Sequence, residues 1–424
     1  MRIAFLINNA YGLGGTIRTT CNLAGQLAAD GHDVQVVSVI QDRDRPYFTY
    51  DPRVRLRGLA DLRRDSEHSV LDDPRRSRPS AIFPSSDRRH AMYSALTDDL
   101  IGKALADLDT DVVVGTRPGL NIHLAQQAPR RLVRVAQEHL TLDTHSTRLV
   151  LALRRAYPGL DAVTTTTEAD AAVYRRRMPG VRVTAVPNSV PPYAGPPADC
   201  TAPVVVAAGR LAEAKRYDDL IRAFAVVCAA RPDWSLRLYG SGEKRDSLAA
   251  LIAELGVGKN VALMGAATPL EPQFAKASML AVTSTTESFG MTIVEAMRVG
   301  LPVVATDCPL GPREIVRDGV NGLLVPPRDV DAIAAALLSL VEDDERRRAM
   351  GRAAHASSEA YDPARIADRH LRLFQELLDG RAKPAHRARA GLRAGAARTV
   401  GAALSAADAA GAAARKGRRM AGRA

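Results

Sequence analysis

Residues 287–313 read Glu-Ser-Phe-Gly-Met-Thr-Ile-Val-Glu-Ala-Met-Arg-Val-Gly-Leu-Pro-Val-Val-Ala-Thr-Asp-Cys-Pro-Leu-Gly-Pro-Arg. The apolar run Met279-Leu-Ala-Val just before them predicts a buried strand, with the turn at its carboxyl end over Thr283 to Thr286. Phe289-Gly290 then opens a helix. A helix start at the carboxyl end of a parallel strand presents backbone N–H groups and a positive dipole end, which suits a phosphate. Glu287 precedes that helix and Glu295 lies about one turn inside it. Carboxylates repel phosphate but hold hydroxyls well. A ligand meeting both demands carries a diphosphate flanked by polyols, which describes a nucleotide sugar. The same spacing also fits an acidic helix cap followed by a solvated glutamate.

Outward from this stretch the pattern is an alternation of short apolar strands and helices. Toward the amino end, residues 2–8 predict a strand, a turn with glycines at 12, 14 and 15 follows, then a helix through Ala29 and a strand from Val34 to Ile40. These glycines do not have the spacing of a dinucleotide fingerprint, and no acid closes the second strand, so a nicotinamide cofactor is not expected. Gly14-Gly15 lets a ligand approach the backbone, or is a loop needing positive φ at Gly15. Residues 42–90 have little periodicity, and such a segment is functional or disordered. Past it the alternation resumes, and Gln137-Glu-His139 caps a strand at the edge where α/β proteins place ligands. A lone histidine there is also often structural.

Residues 187–197 hold five prolines and read as a stiff linker. A second alternation begins at Pro203, and its first strand runs into Gly209-Arg-Leu-Ala-Glu-Ala-Lys. Strands of such a sheet share a direction, so Arg210 and Lys215 open on the same edge as Glu287. An arginine grips two phosphate oxygens and a lysine adds a mobile charge, unless both are merely solvated. The expected fold is α/β, with two doubly wound Rossmann-like domains facing a cleft. The expected boundaries are 1–187, a linker at 188–198, 199–360, a crossover helix at 361–380 and a tail at 381–424.

Composition narrows the class. At 424 residues and 46% hydrophobic, the chain is long enough for two or three domains with full cores. Aromatics at 4% leave little for stacking nucleobases, and no nucleic-acid partner is expected. Cys21, Cys200, Cys228 and Cys308 are scattered, which excludes a zinc ribbon or disulfide framework and fits a reducing compartment. The amino terminus does not read as a signal peptide, and no apolar run reaches the roughly 20 residues of a membrane span. A cytoplasmic protein is expected, or one peripheral to the inner face of the membrane. Eleven Lys/Arg against the single acid Asp408 place ten of the eleven net charges in residues 381–424, so the body is nearly neutral. That Ala/Arg-rich tail reads as disordered: a polybasic segment for an anionic membrane surface or polymer, or a solubilising appendage.

Gly209-Arg-Leu-x-x-x-Lys, then Glu287-x7-Glu295 running into Ala-Met-x-x-Gly-Leu-Pro-Val-Val-Ala, resembles the family 4 (GT4) retaining glycosyltransferases of GT-B fold. Asp307-Cys-Pro-x-Gly-Pro-Arg-Glu-Ile-Val and Asp318-Gly-Val-Asn-Gly-Leu-Leu-Val-Pro-Pro continue the match. The resemblance implies that Glu287 holds donor-sugar hydroxyls and Glu295 the ribose. It puts Ser288, Phe289, Gly290, Met291 and Thr292 along the diphosphate, with Arg210 and Lys215 binding it too. Gly14 and Gly15 approach donor phosphates and acceptor, and His139 lies near the donor sugar. It implies a crossover helix, a nucleotide-sugar co-substrate (UDP preferred) and no metal or other cofactor. The acceptor is then a saccharide, lipid or polyol phosphate of the cell envelope, teichoic-type polymers included. Ala214 and Ser288 depart from the usual pattern without removing a needed charge. The rival readings are a GT-B nucleotide-sugar epimerase and a non-enzymatic polyanion binder.

Overall fold

The computed structural model describes residues 1–382, so the expectations for 383–424 lie outside the described residues. The chain divides into two units. Of the described residues, the first comprises 1–165, 171–184 and 368–382; the second comprises Thr166–Asp170 and Ala185–Ala367.

The first unit is built on β1 (Arg2–Ile7), α1 (Gly15–Ala29), β2 (Asp33–Gln41), β3 (Arg55–Asp61), α2 (Ala95–Asp107), β4 (Val112–Gly115) and α3 (Pro118–Gln127). Then come β5 (Val133–Glu138), α4 (Thr147–Ala156), β6 (Ala162–Thr165), α5 (Glu168–Arg177) and β7 (Val183–Ala185). The first three residues of α5 fall in the second unit. The sheet of the first unit has the order β3-β2-β1-β4-β5-β6-β7. The β1 and β4 strands are almost wholly apolar and buried, as strands covered on both faces must be.

The second unit holds β8 (Val204–Ala208), α6 (Tyr217–Ala230), β9 (Ser235–Tyr239), α7 (Arg245–Glu254), β10 (Val261–Gly265), α8 (Glu271–Phe274) and β11 (Met279–Val282). It continues with α9 (Met291–Val299), β12 (Val303–Thr306), α10 (Pro312–Ile315), β13 (Gly322–Val325), α11 (Val330–Val341) and α12 (Asp344–Ser358). The order is β10-β9-β8-β11-β12-β13, all parallel. In both sheets the order reverses at the centre, between β1 and β4 and between β8 and β11. Those are the points where the outgoing loops part and leave a crevice at the carboxyl edge.

The last helix, α13 (Pro363–Ala382), starts in the second unit and continues in the first. There Arg381 pairs with Asp161 and donates from Nη1 to the Arg130 carbonyl at 2.7 Å, while Glu376 pairs with Arg182. Among the described residues no helix is long and apolar enough to cross a membrane.

Three expectations need correction. Residues 42–90 are not structureless, since β3 lies within them and extends the first sheet through parallel pairing with β2. Its charged residues and glycine hid it: an edge strand buried on few sides does not need the apolar run of a central one. The positive φ of the first glycine turn sits at Gly14 (157°), not at Gly15. Finally, α9 begins at Met291, because Gly290 is left-handed (φ 111°) and caps it.

Candidate active site

The second sheet brings its two central loops together at the carboxyl edge. The loop after β8 runs from Gly209 to Arg216 and the loop after β11 from Thr283 to Gly290. They are cross-braced: Thr285 N donates to the Ala214 carbonyl at 2.9 Å, and the Thr283 hydroxyl donates to the carbonyls of Lys215 (3.0 Å) and Arg216 (3.1 Å). Arg216 is itself left-handed (φ 49°) and turns the chain into α6. Its guanidinium is held by Glu213, Asp218 and Asp219, so it serves the loop's shape.

This bracing sets Lys215 Nζ 2.5 Å from Glu287 Oε1. Ser284 Oγ donates to the same carboxylate oxygen at 2.8 Å. Side-chain exposures of 24% for Lys215 and 13% for Glu287 leave both partly open to solvent. Lys215 lies back over Gly209, where an added Cβ would stand 3.4 Å from its Cε. The backbone of Glu287 is clamped from the other side. Its N–H donates to the Pro309 carbonyl at 2.9 Å, and its carbonyl accepts from Leu310 N (2.9 Å) and Gly311 N (3.1 Å). A Cβ at Gly311 would fall 1.7 Å from the Phe289 carbonyl oxygen, so only glycine fits there. The segment after β12 is thus the support on which Glu287 rests.

Electrostatics mark the same place. Burial, reinforced by the Glu287 carboxylate, pushes the Tyr217 hydroxyl well above its ordinary value. The same two causes push the Cys308 thiol up to about 11, so this buried cysteine stays protonated and is no nucleophile. Ser284, Tyr217 and Cys308 were not among the candidate residues. Their only sequence signal is adjacency to the two loops, which says nothing about which way a side chain points.

The other candidates fall in two groups. Ser288, Phe289 and Gly290 lead into α9, whose first residues, Met291 and Thr292, are half-buried. The Ser288 carbonyl accepts the Thr166 hydroxyl at 2.8 Å, and Phe289 packs edge-on against Tyr361 at 5.6 Å. Glu295 lies in the second turn of α9 and is 4% exposed. Arg210 shares the loop of Lys215 but is exposed, and it pairs with no carboxylate among the described residues.

Gly14, Gly15 and His139 belong to the first unit. A Cβ at Gly14 or Gly15 would meet nothing within 4 Å, so the backbone there is approachable. His139 is half-buried just past β5, and its Nε2 is buried without a partner among the described residues. Burial pushes its pKa down to about 4, so the ring is neutral at neutral pH. His370 on α13 neighbours it and is pushed down to about 3, by burial, then Arg369, then His139.

Comparison with known proteins gives this geometry a family. A model described as Glycosyltransferase Family 4 matches residues 13–193, and one described as Glycosyl transferases group 1 matches residues 196–357. An exopolysaccharide phosphotransferase of Streptomyces coelicolor is 34% identical over 393 residues, 91% of this chain. The chain spans only 42% of that relative's length. An uncharacterized glycosyltransferase of Haemophilus influenzae is 26% identical over 87% of this chain and 98% of its own. The crystal structure of a TarM variant from S. aureus with fondaparinux, alpha-GlcNAc-glycerol and UDP superposes with a TM-score of 0.71. It covers 88% of this chain and all of the other at 16% identity, a likeness of fold. The two family models follow one another along the chain as its two parallel sheets do, and the chain belongs to the GT4-type glycosyltransferases, with the GT-B fold.

Proposed function

We propose that this glycosyltransferase moves a hexose or N-acetylhexosamine, with retention at the anomeric carbon, from a UDP-sugar to a hydroxyl of a cell-envelope saccharide or polyol-phosphate acceptor. The observation that carries the reading is the Lys215–Glu287 pair, 2.5 Å apart at the crevice between β8 and β11 and beside the start of α9. Lys215, Arg210 and the opening amides of α9 supply positive charge where the diphosphate departs. Glu287 accepts hydrogen bonds from sugar hydroxyls, and Glu295 from the ribose. In the reaction the acceptor oxygen bonds to the anomeric carbon as that carbon's bond to the diphosphate oxygen breaks. The acceptor's proton passes to the leaving diphosphate, so no protein base is needed. His139, in the first unit and neutral by burial, can donate or accept a hydrogen bond without changing charge.

The UDP and alpha-GlcNAc-glycerol of the TarM complex support this choice of donor and acceptor type. An α product is what retention of an α-linked donor yields. No metal or other cofactor is assigned, since the protein cations take the role a metal would play, and location in the cytoplasm or at the inner membrane face fits such a donor.

The test is incubation with UDP-, GDP- and ADP-sugars, with and without glycerol-phosphate oligomers, in buffer containing EDTA. Transfer from a UDP-sugar, with only slow UDP release when the acceptor is left out, supports the reading. Rapid conversion of the donor alone points to an epimerase, and no turnover with any donor leaves a binding protein.

A further inference from the structure

The crevice of the first sheet, between β1 and β4, carries a cluster the donor site does not use. Three separate segments converge on it: residues 83–90 of the long segment after β3, Thr116-Arg117 after β4, and the loop after β5 that holds His145. Asp87, 7% exposed, is their hub. Its Oδ1 accepts from Arg117 Nη2 at 3.1 Å and from Arg89 N at 2.8 Å. The Arg117 guanidinium also stands 6.0 Å over the Phe83 ring. Phe83 stacks on Tyr93 (centroids 3.6 Å apart), whose hydroxyl donates to Asn8 Oδ1 at 2.6 Å just past β1. Gly119 accommodates Phe83, since a Cβ there would press into the ring at 2.1 Å. The segment is therefore built onto the crevice, not draped over it.

What the cluster offers is hydrogen-bond donors. Arg117 Nε and His145 Nε2 are both buried and have no partner among the described residues. Buried polar atoms are rarely left unmatched, so a missing partner is expected at each. Asp87 cancels the charge of Arg117, while Arg88 and Arg89 stand exposed beside it and give the edge a positive balance. Asp87, Arg117 and Arg88 all act on the His145 ring, which burial keeps neutral. Donors arriving from three segments suit the several oxygens of a tetrahedral anion better than a planar carboxylate, which one arginine fork satisfies.

We propose that Arg88, Arg117 and His145 form a phosphate subsite that holds the phosphate of the acceptor. The subsite rests on the glycosyl-transfer reading, to which it adds that the acceptor is anionic and is recognised at the β1/β4 crevice. The phosphate belongs either to a soluble polyol phosphate or to a lipid headgroup.

Titration of the full-length protein, with UDP saturating, against sn-glycerol 3-phosphate and against glycerol tests it. Sedimentation with phosphatidylcholine vesicles, with and without phosphatidylglycerol, forms the second arm. Binding of glycerol 3-phosphate but not glycerol is expected, weakened about tenfold or more by Arg117→Gln and by Arg88→Ala. Arg88 is exposed, so its variant keeps the fold even if Arg117→Gln does not. Binding only to phosphatidylglycerol vesicles, lost in the variants, assigns the phosphate to a lipid. Failure to bind either probe, or equal binding by wild type and variants, overturns the subsite. Loss of UDP binding alone counts against the donor reading and leaves the subsite standing.

Discussion

In the proposed reaction Lys215 and Glu287 serve because neither is fully committed to the other. Each stays partly exposed at the crevice, so a diphosphate and a sugar hydroxyl can compete for them. Substituting Ala at either position removes an ion pair of modest structural value, on the order of 1 kcal/mol or less. The expected outcome is transfer reduced at least 100-fold with the melting temperature shifted by no more than a few degrees. Wild-type turnover in either variant would remove the pair from the site. These two residues were legible in the sequence because each lies in the loop that follows a predicted strand of one parallel sheet, which fixes the edge it occupies. Ser284, Tyr217 and Cys308 were not, because side-chain direction in a turn or at a helix start is set by tertiary packing. Arg117, Asp87 and His145 were hidden for a related reason: they come from three segments with no shared spacing.

At the scale of elements, the turn after β12 is the clearest dependency. Gly311 lies against the Phe289 carbonyl while its own N–H supports Glu287. Gly311→Ala should cost about 1–3 kcal/mol through overpacking and lower transfer as Glu287 shifts, measurable as a reduced Tm together with reduced kcat/KM. An unchanged enzyme would show that this turn is not a support. The helix α13 carries a second test. His139 and His370 both have folded pKa values below the unfolded value of about 6.5. The unfolded chain therefore binds more protons in that range, and stability is full above about pH 6.5 and falls as the pH drops toward 4. His370→Leu should flatten that decline in acid melts, and an identical slope would contradict it. The central strands and long helices could be read directly from apolar period. The edge strand β3 could not, since a strand paired on one side tolerates the arginines and glycine that break the pattern.

For the whole molecule, two sheets of the same winding place a crevice at each centre, and the sequence showed both because the alternation is repeated on either side of a proline-rich stretch. What composition concealed was the distribution of work. The net charge of +11 resides mostly in residues 381–424, whereas the cations assigned here to chemistry are few and held by specific loops. In the proposed reaction the second unit grips a nucleoside diphosphate through Lys215 and the head of α9. Calorimetric titration of UDP into the wild-type protein and into Lys215→Ala tests that grip most directly. Saturable one-to-one binding of UDP is expected, weakened about 10- to 100-fold in the variant by loss of a charge-assisted contact. Equal affinity in the two proteins, or no UDP binding by the wild type, would contradict it.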